Sequence, residues 1–334
     1  MNLPDFVRHW SQEMGSSEEA VSQLKGGINN LVFSIGTKNR QWVVKGYPAK
    51  EAGKRDRMQA ELELLIYANM VAPGMVPRLI EIDRDRRCLI LEYVRGSSYT
   101  RGCSPTPEDV NTAIKFFRRL NDNHVLAKQM ISMDAAEGFL SLRQHMSSVH
   151  ERLSTMGAEH LPAKFRVSAS ILLVHLKEQA DRLENTLETM ITAGEVDDQI
   201  DPETRCVSPS DFGFHNAIRT DKGVTFIDFE FAGWDDPAKS YVDFILQPNV
   251  PIDYKTSSST IRLLLNDCEP FNERVRILTQ ILQLKWLCII MAILRPERVD
   301  YIKDIHREFD ICSAIGSRLA EARIRLAAFG QLEF

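Results

Sequence analysis

The chain carries no C-x-x-C pair and no cluster of cysteine with histidine: its six cysteines, at 88, 103, 206, 268, 288 and 312, lie far apart. That spacing excludes a zinc ribbon and a disulfide framework, and predicts buried or free thiols in a reducing compartment. The N-terminus MNLPDFVRHWSQEM lacks an apolar core of signal-peptide length. No long run is free of polar residues either. The most apolar one, Ile277–Leu294, contains Gln280, Gln283 and Lys285, which predicts a core helix rather than a membrane span. An excess of positive charge is also missing. A net charge of −5 gives no reason to expect nucleic acid or an anionic membrane as partner. There is no internal repeat, low-complexity stretch or long flexible linker. What remains is ordinary globular composition over 334 residues, 44% hydrophobic and 26% charged, enough for one large or two modest domains. The expected location is the cytoplasm, and the oligomeric state is not written in the sequence.

The texture of the chain changes near residue 95. Before it, a short helix at 5–14 precedes alternating runs at Leu31–Ile35 and Trp42–Lys45 around a Thr37–Arg40 turn. Gly26-Gly27 opens the first run and Asn30 closes its approach. A glycine pair before a strand lets backbone N–H groups come close to a phosphate, although such a pair also serves as a plain turn. Lys45 ends the second strand, a position often held by a lysine for solubility alone. Arg55–Met70 has Leu62, Leu65, Ile66 and Met70 at helical spacing, and Pro77–Ile80 and Cys88–Tyr93 read as two more strands. After residue 95 helices dominate. Thr106-Pro107-Glu108-Asp109 is a strong start signal for a helix to about Asn121. Phe139–Arg152 and Ala163–Ile191 continue the pattern, with Gly194 as a stop, and residues 259–330 are helical again.

Between these helical stretches lies the segment that carries chemistry, VSPSDFGFHNAIRTDKGVTFIDFE, from Val207 to Glu230. Strands are expected at Ala217–Thr220 and Val224–Ile227, joined by Asp221-Lys222-Gly223, where Gly223 supplies the positive φ of a short reversal. Asp211, Asn216 and Asp228 fall at the rim of that hairpin. Any one of them reads as a solvated acid or amide. Together they form a hard-oxygen set suited to Mg²⁺. In phosphoryl transfer, such a set divides its labour: one Asp takes the proton of the attacking hydroxyl, while the Asn and the other Asp hold the metal that bridges the nucleotide phosphates.

The segment resembles the catalytic and metal loops of the aminoglycoside phosphotransferase and choline kinase group, small-molecule relatives of protein kinases. Their H-x-D-x-x-x-x-N loop and I-D-F/W-E/G strand end are matched at Asp211, Asn216 and Ile227-Asp228-Phe229-Glu230, with Pro209 where the family has His. The resemblance spans about residues 20–245 and implies roles elsewhere. Gly26, Gly27 and Asn30 would approach the nucleotide, and Lys45 would contact its α- and β-phosphates. Glu61 would orient Lys45, with Glu63 as rival. The stretch Glu92-Tyr93-Val94 resembles the lobe linker whose backbone holds adenine. Ala232–Ala238 resembles an A-G-x-G-D-P-A segment that shapes the acceptor pocket, although Ser240 stands where a further Asp is usual and Asp243 follows three residues on. The same likeness puts Asp235, Asp236 and the helix Gln280–Trp286 near an acceptor. There Gln283 and Trp286 would suit a hydroxylated or amine-bearing ligand, or Trp286 would simply be core.

The expectation is therefore an α+β, two-lobed protein-kinase-like fold. Residues 1–95 would form a mostly antiparallel β lobe, and residues 96–334 a helical lobe with the catalytic and metal loops. ATP and Mg²⁺ are the implied cofactors, with a small-molecule hydroxyl as acceptor: a sugar, aminoglycoside, choline or amino alcohol. A nucleotide-binding pseudokinase is the alternative, while the lack of an A-P-E segment after Asp228 speaks against a protein kinase.

Overall fold

Local sequence chemistry accounts for most of the elements in the computed structural model, which describes residues 3–24, 30–252, 269–297 and 310–331. The chain forms two compact units: 1–138 with 206–235 and 249–264, and 139–205 with 236–248 and 265–334.

In the first unit, Pro4 precedes helix α1 (Asp5–Glu13). Five strands follow: β1 (Ser22–Gln23), β2 (Leu31–Gly36), β3 (Gln41–Gly46), β4 (Leu79–Asp83) and β5 (Cys88–Glu92). They form one antiparallel sheet in the order β1-β2-β3-β5-β4. Val7, Phe33, Ile35, Val44, Cys88 and Ile90 are its buried core. The strand expected from Pro77 begins instead at Leu79. Proline has no N–H for the ladder, and the Pro77 carbonyl accepts from Asn69 Nδ2 at 3.1 Å.

Helix α2 (Arg57–Val71) starts where the Asp56 side chain accepts the Gln59 N–H. Its packing differs from the expected single stripe. Ile66 and Met70 are exposed, whereas Ala60, Glu61, Leu62, Leu64, Leu65, Tyr67 and Ala68 are buried. The cause is that α2 meets β5 on one side and helices α3 (Pro107–Asn121) and α4 (His124–Met130) on another. Thr106 and Asp109 close a capping box on α3, while α4, capped by Asn123, has no counterpart in the sequence-based expectation. The hairpin pairs β8 (Ala217–Thr220) with β9 (Gly223–Phe226), and β6 (Ser97–Ser98) adds to its free edge. Gly223 takes φ 118° at the reversal. The remaining short pair is β7 (Cys206–Ser208) with β10 (Gly233–Asp235).

The second unit is helical. It contains α5 (Leu142–Ser154), α6 (Ala163–Ala193), α7 (Pro237–Leu246), α8 (Glu269–Ile290) and α9 (Ile311–Ala327). α5 begins later than Phe139 because Ser141 caps it and is itself held by Asp198. Gly194 ends α6 in the left-handed region, φ 72°. The apolar run 277–294 falls in α8 and the turn after it. The stretch Glu273–Leu294 is long and apolar enough to cross a membrane, but 72% of its most apolar window is buried against the other helices. It is built as a core helix.

Candidate active site

The hairpin's rim is fixed from beneath by aromatic packing. Phe212, Phe214, Phe226 and Phe229 are all buried in one cluster with Phe116 of α3. Phe116 stacks on Phe226 with ring centroids 4.8 Å apart and lies 6.3 Å from Phe229. These phenylalanines flank Asp211 and Asp228 in sequence, so burying the rings sends the carboxylates the other way. Asp211 and Asp228 keep 35% and 31% of their side chains exposed, enough to be reached.

Both aspartates sit beside strained backbone. Asp228 has φ 68°, and Ser210, immediately before Asp211, has φ 65°. Non-glycine residues occupy the left-handed region at a cost, and such positions gather at functional loops. Around Ser210 the turn is tied down: the Asp211 N–H donates to the Pro209 carbonyl at 2.9 Å, and Ser210 Oγ donates to the Ala136 carbonyl at 3.0 Å. This is the loop in which Pro209 stands where the resemblance leads one to expect histidine. Asn216 Nδ2 donates to the Asp211 backbone carbonyl (3.0 Å) and to its carboxylate (3.2 Å), and His215 Nε2 lies 3.0 Å from Asp211 Oδ1. The Ile227 N–H donates to the Asn216 carbonyl at 2.9 Å, which joins the two rims.

Lys45 completes the group. Its Nζ is 2.5 Å from Glu61 Oε2 and 2.5 Å from Asp228 Oδ1. Lys45 and Glu61 are only 5% and 1% exposed. Burial pulls the ammonium's pKa down, but the charges of Glu61 and then Asp228 outweigh it and hold it above its ordinary value of 10.5. Tyr47, two residues on from Lys45, donates its hydroxyl to the same Glu61 oxygen at 2.8 Å. Burial, then the Glu61 charge, raises the phenol's pKa well above 10.0, so it stays a donor. Glu63 faces away and accepts from Gln59 and from the Ser132 N–H and hydroxyl.

Sequence reasoning misses three further groups. Glu230 is 3% exposed, accepts from Asn30 Nδ2 and lies 3.7 Å from Arg57. Arg55 donates to the backbone carbonyls of Glu230, Ala232 and Asp134, which binds the start of α2 to the segment after Asp228. His215 is the third. Glu230 and His215 lie inside the motif stretch, but nothing in the sequence announces the reach of Arg55. Gly26 and Gly27 lie outside the described residues. Glu92 ends β5 and pairs at the surface with Arg78 at 3.0 Å, and the half-buried Tyr93 and Val94 follow it.

Of the residues expected at the acceptor, Asp235 and Asp236 are buried, and Gln283 and Trp286 are half-buried. Asp235 is fully buried at the end of β10. Asp236, equally buried, caps α7 through the Ala238 N–H (2.8 Å) and pairs with Arg274 at 2.7 Å. In the second unit Trp286 Nε1 donates to Asp243 Oδ1 at 3.2 Å, while Gln283 Oε1 accepts from the Gly330 N–H at 3.3 Å. Gln283 and Trp286 thus serve different partners. Asp243 also binds Lys285 Nζ at 2.6 and 2.8 Å, with Lys239 3.6 Å away.

Among the described residues no group of three or more His, Cys, Asp or Glu side chains could by itself hold a metal ion. A magnesium–nucleotide site does not need one, since Mg²⁺ keeps waters and substrate phosphates among its ligands. The accessible carboxylate of Asp228, with Asn216 held to the neighbouring Ile227 by a backbone hydrogen bond, fits that requirement.

A small antiparallel sheet backed by a helix whose glutamate holds a strand lysine, with an Asp-x4-Asn loop and an Asp-Phe-Glu hairpin, defines the protein-kinase-like class of fold. Within that class, the chain belongs to the phosphotransferase enzyme family (APH), whose model matches residues 20–245. Solved structures agree on the fold. A choline/ethanolamine kinase family protein from Mesorhizobium loti aligns with TM-score 0.52 at 17% identity, over 98% of this chain and 100% of the other. Spectinomycin phosphotransferase APH(9)-Ia, in complex with ADP and spectinomycin, aligns with TM-score 0.57 at 11% identity, over 93% of both chains. An amicoumacin kinase in complex with AMP-PNP, Ca²⁺ and Ami aligns with TM-score 0.55 at 10% identity, over 98% of this chain and 94% of the other. No curated protein matches the sequence significantly.

Proposed function

We propose that the protein transfers the γ-phosphoryl group of ATP to a hydroxyl of a small cytoplasmic metabolite. The observation that carries this reading is Lys45 held between Glu61 and Asp228, one hairpin away from Asp211 and Asn216. Lys45 would steady the α- and β-phosphates, kept charged and aimed by Glu61 and Tyr47. Asn216 and Asp228 would hold Mg²⁺, whose bound form supplies charge neutralisation at the phosphates. Asp211, oriented by Asn216 and His215, would align the acceptor hydroxyl and take its proton. Asn30, anchored on Glu230, would with Gly26 and Gly27 cover the phosphates, and the backbone of Glu92-Tyr93-Val94 would receive the base. Functionally, residues 1–95 would carry the nucleotide and 96–334 the catalytic loops and acceptor pocket.

The nucleotides and Ca²⁺ named with the spectinomycin and amicoumacin kinases support the choice of cofactors. The acceptor belongs to the same broad class of sugars, aminoglycosides, choline and amino alcohols. Of the residues that the sequence suggests for it, Trp286 keeps the best claim, being half-buried with its indole N–H on Asp243. Asp236 caps α7 and pairs with Arg274, and Gln283 accepts from the Gly330 N–H, so each has a structural partner besides any ligand.

Pro209 in the place of histidine favours one second reading, a nucleotide-binding pseudokinase. ADP release measured against pooled small alcohols and sugars separates the two. Acceptor-dependent turnover that Asp211→Asn abolishes, with nucleotide binding retained, supports the kinase. Nucleotide binding without turnover on any acceptor supports the pseudokinase, and full activity in Asp211→Asn removes Asp211 from the role of base.

A further inference from the structure

Helix α6 buries one face and leaves another aliphatic. Leu172, Leu173, Leu176, Ala180, Leu183 and Leu187 point into the second unit's core. On the opposite side Val167, Ile171 and Val174 are 72%, 52% and 53% exposed. Isolated apolar residues on a surface need no explanation, but three on one stripe do. Their spacing continues in both directions. Lys164, Val167, Ile171, Val174 and Glu178 recur at steps of three, four, three and four, which is one face of a helix. The stripe borders a groove of about 820 Å³ between α6 and α9, floored by Leu172 and Leu326.

The ends of the stripe carry opposite charges, Lys164 at the N-terminal end and Glu178 at the C-terminal end. Glu178 is half-exposed, and its contact with Arg182, at 3.9 Å, is a surface pair of little weight. A surface that is positive at one end, apolar in the middle and negative at the other is complementary to its own reverse. Two copies laid antiparallel about a two-fold axis place each lysine toward the partner's glutamate and the aliphatic residues against each other. A parallel arrangement would oppose like charges. An anionic lipid surface fits less well, because Glu178 and the nearby Asp181 would be repelled.

We propose that the exposed face of α6, with the groove it forms against α9, is the surface through which this chain pairs antiparallel with a second copy of itself. Such an interface is isologous, so it closes at the dimer and does not propagate. It is independent of the catalytic reading, since none of its residues belongs to the candidate site.

Sedimentation velocity of the full chain over a wide concentration range tests the pairing. The expected result is a reversible monomer–dimer equilibrium in the wild type. Ile171→Asp should be monomeric over the same range with unchanged circular dichroism, because the residue is exposed. Lys164→Glu and Glu178→Lys should each raise the dissociation constant by about fivefold, and the double charge exchange should recover most of that loss. If Ile171→Asp proves to disturb folding, the charge variants carry the test alone. A wild type monomeric at every concentration overturns the proposal. So does a dimer indifferent to Ile171→Asp, a double exchange no better than either single change, or a monomer that floats with anionic vesicles.

Discussion

Lys45 shows how few neighbours decide a residue's role. A lysine at the end of a strand is ordinarily a solvated charge, yet here it is buried between two carboxylates and the phenol of Tyr47 shares one of them. Removing one partner of a buried pair strands the other charge, a loss of about 3–5 kcal/mol in comparable cases. Lys45→Ala and Glu61→Ala should each lower turnover strongly, and the double variant should lose much less than the sum. A double-mutant cycle on kcat/KM checks this. Glu63→Ala serves as the control, since Glu63 is spent on Gln59 and Ser132 and should not couple to Lys45. Coupling at Glu63 in place of Glu61 would refute the assignment. From sequence the choice between the two is open for a physical reason. α2 is buried on two faces, so the apolar periodicity that normally tells inside from outside is weak there.

At the scale of elements, what is legible in the sequence depends on whether the signal is local. The helix starting at Thr106 and the reversal at Gly223 are readable because caps and turns are written within a few residues. Asp211, Asn216 and Asp228 can be nominated from sequence for the same reason, all lying at the rim of one hairpin. Groups whose meaning comes from distant partners are not legible. Arg55 reaches carbonyls of residues 134, 230 and 232, and Asp236, which the sequence suggests for the acceptor, is bound to Arg274 thirty-eight positions away. His145 on α5 is another such group. It is 2% exposed with Nε2 3.0 Å from the Phe139 carbonyl. Burial first, then the cations Lys239 of α7 and Lys285 and Arg274 of α8, push its pKa well below 6.5. The native state therefore holds His145 neutral, while the unfolded chain takes a proton below its ordinary value. Stability from this group is present above about pH 6.5 and falls as the pH drops beneath it, by at most about 1.4 kcal/mol per pH unit. Denaturant melts across that range should show a shallower acid slope in His145→Gln than in the wild type. Equal slopes would mean that His145 does not contribute to acid sensitivity.

For the molecule as a whole, the division of labour between its two units is uneven. Lys45, Glu61, Asp211, Asn216 and Asp228 all belong to the first unit, as do Asn30 and Glu230. The second unit has its own buried charge network around Asp243 and Asp236 and no member of that set. A ligand that binds only the native state stabilises it in proportion to its saturation, and the protection should appear where the binding groups are. Magnesium with a non-hydrolysable ATP analogue should therefore raise the melting temperature more than either alone. Hydrogen exchange should slow most in β2, β3 and the segment from Asp211 to Asp228. The Lys45–Asp228 contact gives this prediction its sharper form. In Asp228→Ala one of the two proposed metal-holding side chains is gone, but Lys45 keeps Glu61. Nucleotide alone should still protect that variant, and the increment due to magnesium should vanish. An undiminished magnesium increment in Asp228→Ala would take Asp228 out of the metal site and leave its ion pair with Lys45 as its whole function.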